Sequence, residues 1–430
     1  LMNGGLSPVL NSNYQNLWPY TNVIAGVDQP YYFGHNRGVP LGGLTASLNG
    51  QPWITDQGDV GRPGVLTHEF PTVDQVLGYA NGNGIYGAGL GGRKRHLNIA
   101  TMWSSSSWGR DDYLTNDHVR PLDFQSTTSG IFNYLFGSVE AGGANPLLNL
   151  VNEFWPSGKA LMKFLSRDDR DSLEKLFSLA QSAADDYSLP GPDLSGIVQP
   201  NGLSSNVPMQ NADLEMVADL IAMAFKCDIT RIVNIHCETV VNGYDFHAVS
   251  HSPTSQDPNA GQSQMVEIYQ NQSNKLFGRL GNNLLQADPF DPQTSILRNS
   301  LVHWTHENKV AHHMNCLPTL IMGEAGGRFT TGNFVDLRNL NRPLEVDGVG
   351  DRLYVGDMAN RLWASIFYGM NIPRSTYEIE RGGNADTHKL TKGYGHVMKL
   401  QPTWYTLPEY DLSRIGEPWE FLTKNGISWG

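Results

Sequence analysis

Charged side chains are scarce in this chain: Asp, Glu, Lys and Arg make up only 17% of its 430 residues. Long hydrophobic runs are missing as well. No stretch approaches the roughly 18 consecutive apolar residues of a membrane-spanning helix, so no transmembrane segment is expected. Cysteine is almost absent. Cys227, Cys237 and Cys316 form no C-x-x-C pair, which excludes a disulfide framework and the usual thiolate zinc motifs. Basic blocks are short, the densest being GGRKRH at 91–96, and 42 acidic against 30 basic residues give a formal charge of −12. Such a surface repels a phosphate backbone, so nucleic acid is not an expected partner.

Glycine (46), proline (24) and aromatic residues (10%) are plentiful. Low charge with many aromatics describes a folded, loop-rich chain rather than a disordered one, and 430 residues can bury a sizeable core. No repeat of fixed period is present. The first residue is Leu, from which a processed or partial chain is expected, with any leader already removed.

Periodicity organises the chain as α/β. TNVIAGVD (21–28), HLNIATMW (96–103), RIVNIHCETV (231–240), SLVHWT (300–305) and CLPTLIMG (316–323) read as strands. The run at 231–240 has the continuous apolar character of a central parallel strand buried on both faces. Helices are expected at 70–80, 129–138, 166–187, 211–229, 263–280 and 357–373. Alternation of the two types predicts a mostly parallel sheet covered on both faces. Beyond 374 the periodicity fades, and Tyr405, Tyr410, Trp419, Phe421 and Trp429 mark an aromatic tail. Such a tail either wraps its own domain or anchors self-association with a neighbouring subunit.

Seven of the 13 histidines fall between 236 and 313. His247 and His251 lie on a segment after one strand, and His306, Glu307, His312 and His313 follow the next. Loops after strand carboxyl ends converge on one sheet edge, where ligands bind. Imidazole with carboxylate suits a divalent metal ion. Two other motifs do not carry chemistry. HENKVAH (306–312) fails as a zincin because Val310 stands where the second His is required. NGNGIYGAGLGG (81–92) contains G-x-G-x-x-G, but a strand rather than a helix is expected after it, so it reads as a loop without a nicotinamide cofactor. SSSS (104–107) reads as a polar loop, and no G-x-S-x-G elbow is present.

The segments MVADLIAMAFKCDITRIVNIH, HAVSHS (247–252) and SLVHWTHENKVAHHMNCLPTLIMGEAGGRFTTG (300–332) resemble an exported bacterial family of unknown function named for its H-x-x-S-H-H motif. LSPVLNSNYQNLWPYTNVIAGVD, GHNRGVPLGGLTA, FPTVDQVL and IFNYLFG have counterparts in the same order, so the resemblance covers roughly residues 6–373. That family is similar to the alkaline phosphatase-like superfamily, which includes sulfatases. The resemblance implies a three-layer α/β/α sandwich with a mostly parallel sheet over 1–373 and an extended C-terminal tail over 374–430. It also implies export, often by the twin-arginine route, to a periplasmic, cell-surface or extracellular location.

By the same resemblance His247, His251, His306, Glu307, His312 and His313 would hold a divalent ion such as zinc, calcium or manganese, for hydrolysis of phosphate or sulfate esters. Ser252 replaces the last His of the motif. His35 and Asn36 stand where a nucleophilic Ser, Thr or Cys is wanted, leaving His35 and the later Thr45 as catalytic candidates. The superfamily's metal-binding aspartate on the first strand is not identified in the sequence. The alternative expectation is a catalytically inactive cell-surface or assembly protein that keeps the scaffold.

Overall fold

The computed structural model describes residues 5–29, 44–45, 68–79, 84–87, 89–101, 105–109, 120–137, 197–205, 211–237, 240–241, 244–252, 257, 259–306, 315–344, 353–376, 410, 414 and 416–424. They form a mixed α/β protein. The strands are β1 (Thr21–Asp28), β2 (Leu44–Thr45), β3 (His68–Phe70), β4 (Leu97–Ala100), β5 (Trp108–Gly109), β6 (Arg120–Pro121), β7 (Val233–His236) and β8 (Val240–Val241). They continue with β9 (Tyr244–Asp245), β10 (Val302–Trp304), β11 (Leu317–Met322), β12 (Phe334–Asp336), β13 (Asn339–Leu344), β14 (Leu353–Val355) and β15 (Asp357–Met358). The helices are α1 (Val73–Tyr79), α2 (Thr128–Phe136), α3 (Asn211–Lys226), α4 (Phe246–Ser250), α5 (Gln262–Gln272), α6 (Arg279–Leu284), α7 (Ile296–Asn299) and α8 (Ala359–Gly369). Between α5 and α6 the same helix continues as a π-helical segment, Ser273–Gly278. The helix expected at 166–187 lies outside the described residues. Among the described residues no helix is long and apolar enough to cross a membrane.

The main sheet has the order β10-β11-β1-β12, with β15 also paired to β1. β12 and β15 run parallel to β1. β11 departs from the parallel expectation, lying antiparallel to both β1 and β10. A run that is apolar along its whole length looks the same in either direction, so its sequence carries no sign of the reversal. The carboxyl ends of β1, β10, β12 and β15 therefore share one edge with the amino end of β11.

Side chains alternate across β11, as the two-residue strand period requires. Leu320 and Met322 join a core built from Leu214, Val217 and Ile221 of α3, Leu280 and Leu284 of α6, and Leu97 and Ile99 of β4. Ile321 joins the opposite core with Ile24 and Val27 of β1, Val73 and Val76 of α1, and Leu362, Trp363 and Phe367 of α8. The amphipathic spacing read from α3 and α1 is thus spent on opposite sides of the same strand.

β4 and β7 pair in parallel, Leu97 with Val233 through Ala100 with His236. The ladder is shorter than the apolar run at 231–240, and it is not apolar on both faces. Leu97, Ile99, Val233 and Ile235 pack on the first core, whereas Asn98 and Asn234 are buried on the other side.

The C-terminal residues that are described belong to this domain. Trp419 and Leu422 are part of the second core. The Thr330 amide donates to the Leu422 carbonyl, and the Lys424 amide to the Arg328 carbonyl. Trp419 and Tyr410, two of the aromatic residues expected as anchors for a neighbour, are engaged internally. Tyr405 and Trp429 lie outside the described residues.

Candidate functional site

β1 ends in Asp28, a wholly buried carboxylate at the shared sheet edge. Its Oδ1 accepts from the Cys316 amide at 2.6 Å. Its Oδ2 accepts from the Gly356 amide at 2.8 Å, the Asn315 side-chain amide at 2.9 Å and the Tyr410 hydroxyl at 2.8 Å. Burial pushes the carboxyl up to about 6, against the pull of these four donors. Cys316 donates from a left-handed backbone with φ of 60°, a conformation that costs an L residue energy. The neighbouring Gln29 is equally buried, and its Oε1 finds no hydrogen-bond partner among the described residues.

Gly356 is required by close approach. A Cβ there would lie 2.0 Å from the Gly26 carbonyl oxygen and 2.7 Å from Asp28 Oδ1. Gly356→Ala is therefore expected to push the turn away from β1 and weaken the amide bond to Asp28. The cost should be about 1–3 kcal/mol or more, by analogy with overpacked cores. Urea denaturation checks it, and an unchanged midpoint would show that the turn does not press on β1.

His306 lies two residues past β10. β10 and β1 flank β11 and run in the same direction, so the strands that carry His306 and Asp28 are two strand spacings apart, about 10 Å. The His306 ring meets Tyr269 of α5 edge-on, with centroids 4.9 Å apart, and its Nδ1 is 3.2 Å from the Tyr269 hydroxyl. Tyr269 also meets the ring of Phe246, the first residue of α4, edge-on at 5.9 Å. Val249 and Ile268 join α4 to α5 in a small apolar cluster with Phe246 and Met265. The two histidine-bearing segments therefore meet around Tyr269.

Burial depresses the His306 imidazole to about 4, so it is neutral at neutral pH. His303, one residue inside β10 from Trp304, is depressed to about 4 by the same cause.

The predicted ligands are not equally placed. His306 is held as described. His247 belongs to α4 rather than to a loop, because the segment after β9 coils into a short helix; its side chain is not described. His251 follows α4 at an exposed position. Glu307, His312 and His313 lie outside the described residues, as does His35. Thr45 ends β2, which pairs with β3, and its side chain is not described. No three His, Cys, Asp or Glu side chains come together among the described residues. The polar groups at the sheet edge are a carboxylate whose two oxygens already accept four hydrogen bonds, an amide oxygen without a donor and, two strands across, a neutral imidazole. These are types that a divalent cation takes.

A second polar cluster lies at 105–107, in the serine segment expected as a polar loop. Ser105, Ser106 and Ser107 are buried. Ser107 Oγ donates to Asp74 Oδ2 at 2.5 Å, and the same oxygen accepts from the Gln75 amide at 2.9 Å. Thr72 donates to Asp74 Oδ1 at 2.5 Å, and its carbonyl accepts the first helical bonds of α1, from Gln75 and Val76. Ser106 donates to Asn234 Oδ1 at 2.9 Å. This network fastens the start of α1 to the loop that follows β4 and covers the polar side of the β4–β7 ladder. Serine runs occur on surfaces so often that composition gives no sign of this burial.

No family model matches the chain, and no curated protein matches it. Among the described residues, the segment 81–92 holds a 3-10 turn at Gly84–Tyr86 and turns at 87 and 91–92, as a loop reading requires.

Proposed function

We propose that this chain is an exported protein of alkaline phosphatase- and sulfatase-like fold, a three-layer α/β/α sandwich. In this reading it binds a divalent metal ion at the carboxyl edge of its sheet and hydrolyses phosphate or sulfate esters. The observation that carries the reading is the sheet edge itself. Asp28 ends β1, His306 follows β10, and the His247 segment meets the His306 segment around Tyr269.

Asp28 supplies the first-strand carboxylate that inspection of the sequence alone does not single out, and the neighbouring Gln29 adds an amide oxygen. His306 offers a neutral imidazole whose tilt is fixed by Tyr269 and Trp304. Either group can donate in this bond; in the tautomer whose Nδ1 proton goes to the Tyr269 oxygen, the Nε2 lone pair is left for an ion. His247, His251, Glu307, His312 and His313 would complete the donor set. The bound ion would polarise an ester oxygen as a Lewis acid. The chain's own part is to hold these donors in a water-poor setting where their charges act strongly.

Elemental analysis of the purified protein, with assay against chromogenic phosphate and sulfate esters, tests the proposal. Stoichiometric metal and ester cleavage are expected, with both reduced at least tenfold in His247→Ala and His312→Ala, since each removes a ligand. Protein that holds no metal and cleaves no ester of a broad panel would rule the proposal out.

A further inference from the structure

We infer that the polar side of the β4–β7 ladder is a binding site for an internal water, held between the side chains of Asn98 and Asn234. The two strands run parallel, with Asn98 paired to Asn234 in the register. Adjacent strands lie about 4.8 Å apart, and residues in register on a parallel pair project to the same face. Leu97, Ile99, Val233 and Ile235 take the opposite face, against the first core. The two asparagines are therefore neighbours, and both are deeply buried, at 3% and 7% exposure.

Each amide is half used. Asn98 Nδ2 donates to the Asp123 carbonyl at 3.2 Å, and Asn234 Oδ1 accepts from Ser106 Oγ at 2.9 Å. Asn98 Oδ1 and Asn234 Nδ2 are left over, buried and without a partner. A buried polar atom in that state is costly, and nearly all such atoms in folded proteins are satisfied by protein or by ordered water. Turning Asn98 over would set its oxygen against the Asp123 carbonyl. Turning Asn234 over would only exchange an orphaned donor for an orphaned acceptor. The leftover pair is complementary, one accepting and the other donating. A water between them accepts from Asn234 Nδ2 and donates to Asn98 Oδ1, which gives it the two polar partners that a buried water needs.

The lining selects a neutral ligand. A cation is repelled by the Asn234 N–H and an anion by the Asn98 oxygen, whereas a molecule that both donates and accepts satisfies the two together. The face is also closed over. Ser106 reaches Asn234 from the loop after β4, and Ser105, Ser106 and Ser107 are themselves buried. Water is the smallest molecule that meets both demands. It joins β4 to β7 by hydrogen bonds on the side where the ladder has asparagines in place of an apolar layer.

A high-resolution crystal structure of the wild-type chain tests the site. A single density peak is expected at about 2.7–3.2 Å from both Asn98 Oδ1 and Asn234 Nδ2. A direct bond between the two amides, a gap without density, or density larger than one water overturns the inference. Oxygen-17 magnetic relaxation dispersion gives a second reading in solution, because it counts internal waters that exchange slowly. Asn98→Leu keeps the side-chain shape and removes the acceptor, so the variant is expected to hold one slowly exchanging water fewer than the wild type. An equal count in a folded variant overturns the site. The crystallographic arm needs only the wild type and decides the matter should Asn98→Leu fail to fold.

Discussion

Replacing Trp419 by alanine is expected to cost about 3–5 kcal/mol of folding stability, the range for truncating a buried large aromatic residue. Trp419 is 1% exposed and lies in the core formed with α1, α8 and β1. Its ring stacks on Phe421 at 5.4 Å. The indole nitrogen donates to Asp357 Oδ2 at 2.8 Å, and the backbone amide donates to Ser365 Oγ at 2.8 Å. Asp357 keeps its 2.7 Å ion pair with Arg361 after the substitution, so the cavity dominates the loss. Urea denaturation of the wild type, Trp419→Ala and Trp419→Phe measures it, with the phenylalanine variant falling between the other two. A cost below about 1 kcal/mol for alanine would show that the C-terminal segment lies on the domain without belonging to its core.

The second large effect is a pH dependence set by Asp28. Its carboxyl is raised from 3.8 to about 6 in the folded protein, chiefly by burial. The folded state therefore holds this proton more tightly than the unfolded state does. The associated stability is fully present below the unfolded value near 3.8 and is lost as pH rises through about 6. A shift of this size corresponds to roughly 3 kcal/mol.

Asp28→Asn cannot ionise, so it lacks this term. Its amide faces the Gly356 donor poorly, which adds a penalty independent of pH. The stability of metal-free wild type minus that of Asp28→Asn is thus expected to favour the wild type most at acid pH. That difference should shrink by roughly 2–3 kcal/mol on going from about pH 4 to about pH 8. Other titrating groups cancel in the difference. A difference that stays flat across this range would place the Asp28 titration elsewhere.

Much of the secondary structure is legible in the sequence because local pattern dictates it. TNVIAGVD becomes β1 as written, and the aligned Leu214, Val217 and Ile221 become the buried face of α3. The closing helix expected at 357–373 forms over Ala359–Gly369. What the sequence does not disclose depends on contacts far apart in the chain. The direction of β11 is invisible in an apolar run. Asp28 reads locally as the polar end of a strand, and its significance comes from partners 287 to 382 residues away. The burial of Ser105–Ser107 depends on Asp74 and Asn234, which no spacing rule connects to them. Of the candidate site, the meeting of two histidine segments is foreshadowed by their positions after strands. Tyr269, the side chain between them, has no such signal, because an aromatic residue on a helix ordinarily reads as core.

The π-helical turn at Ser273–Gly278 sets a rotational phase between the two halves of one long helix. Upstream, Tyr269 and Gln272 address His306 and the carbonyl of Cys237; downstream, Leu280 and Leu284 address the first core. Each residue of an α-helix advances about 100° around its axis, and a π turn accommodates one residue more than an α turn. With a regular α-helix in its place, the downstream half would keep its grip on the core while Tyr269 swung about a quarter-turn away from the imidazole. The Tyr14 hydroxyl, near the start of the chain, donates to the Ser273 carbonyl at 3.0 Å, so it touches the helix at the point where the phase changes.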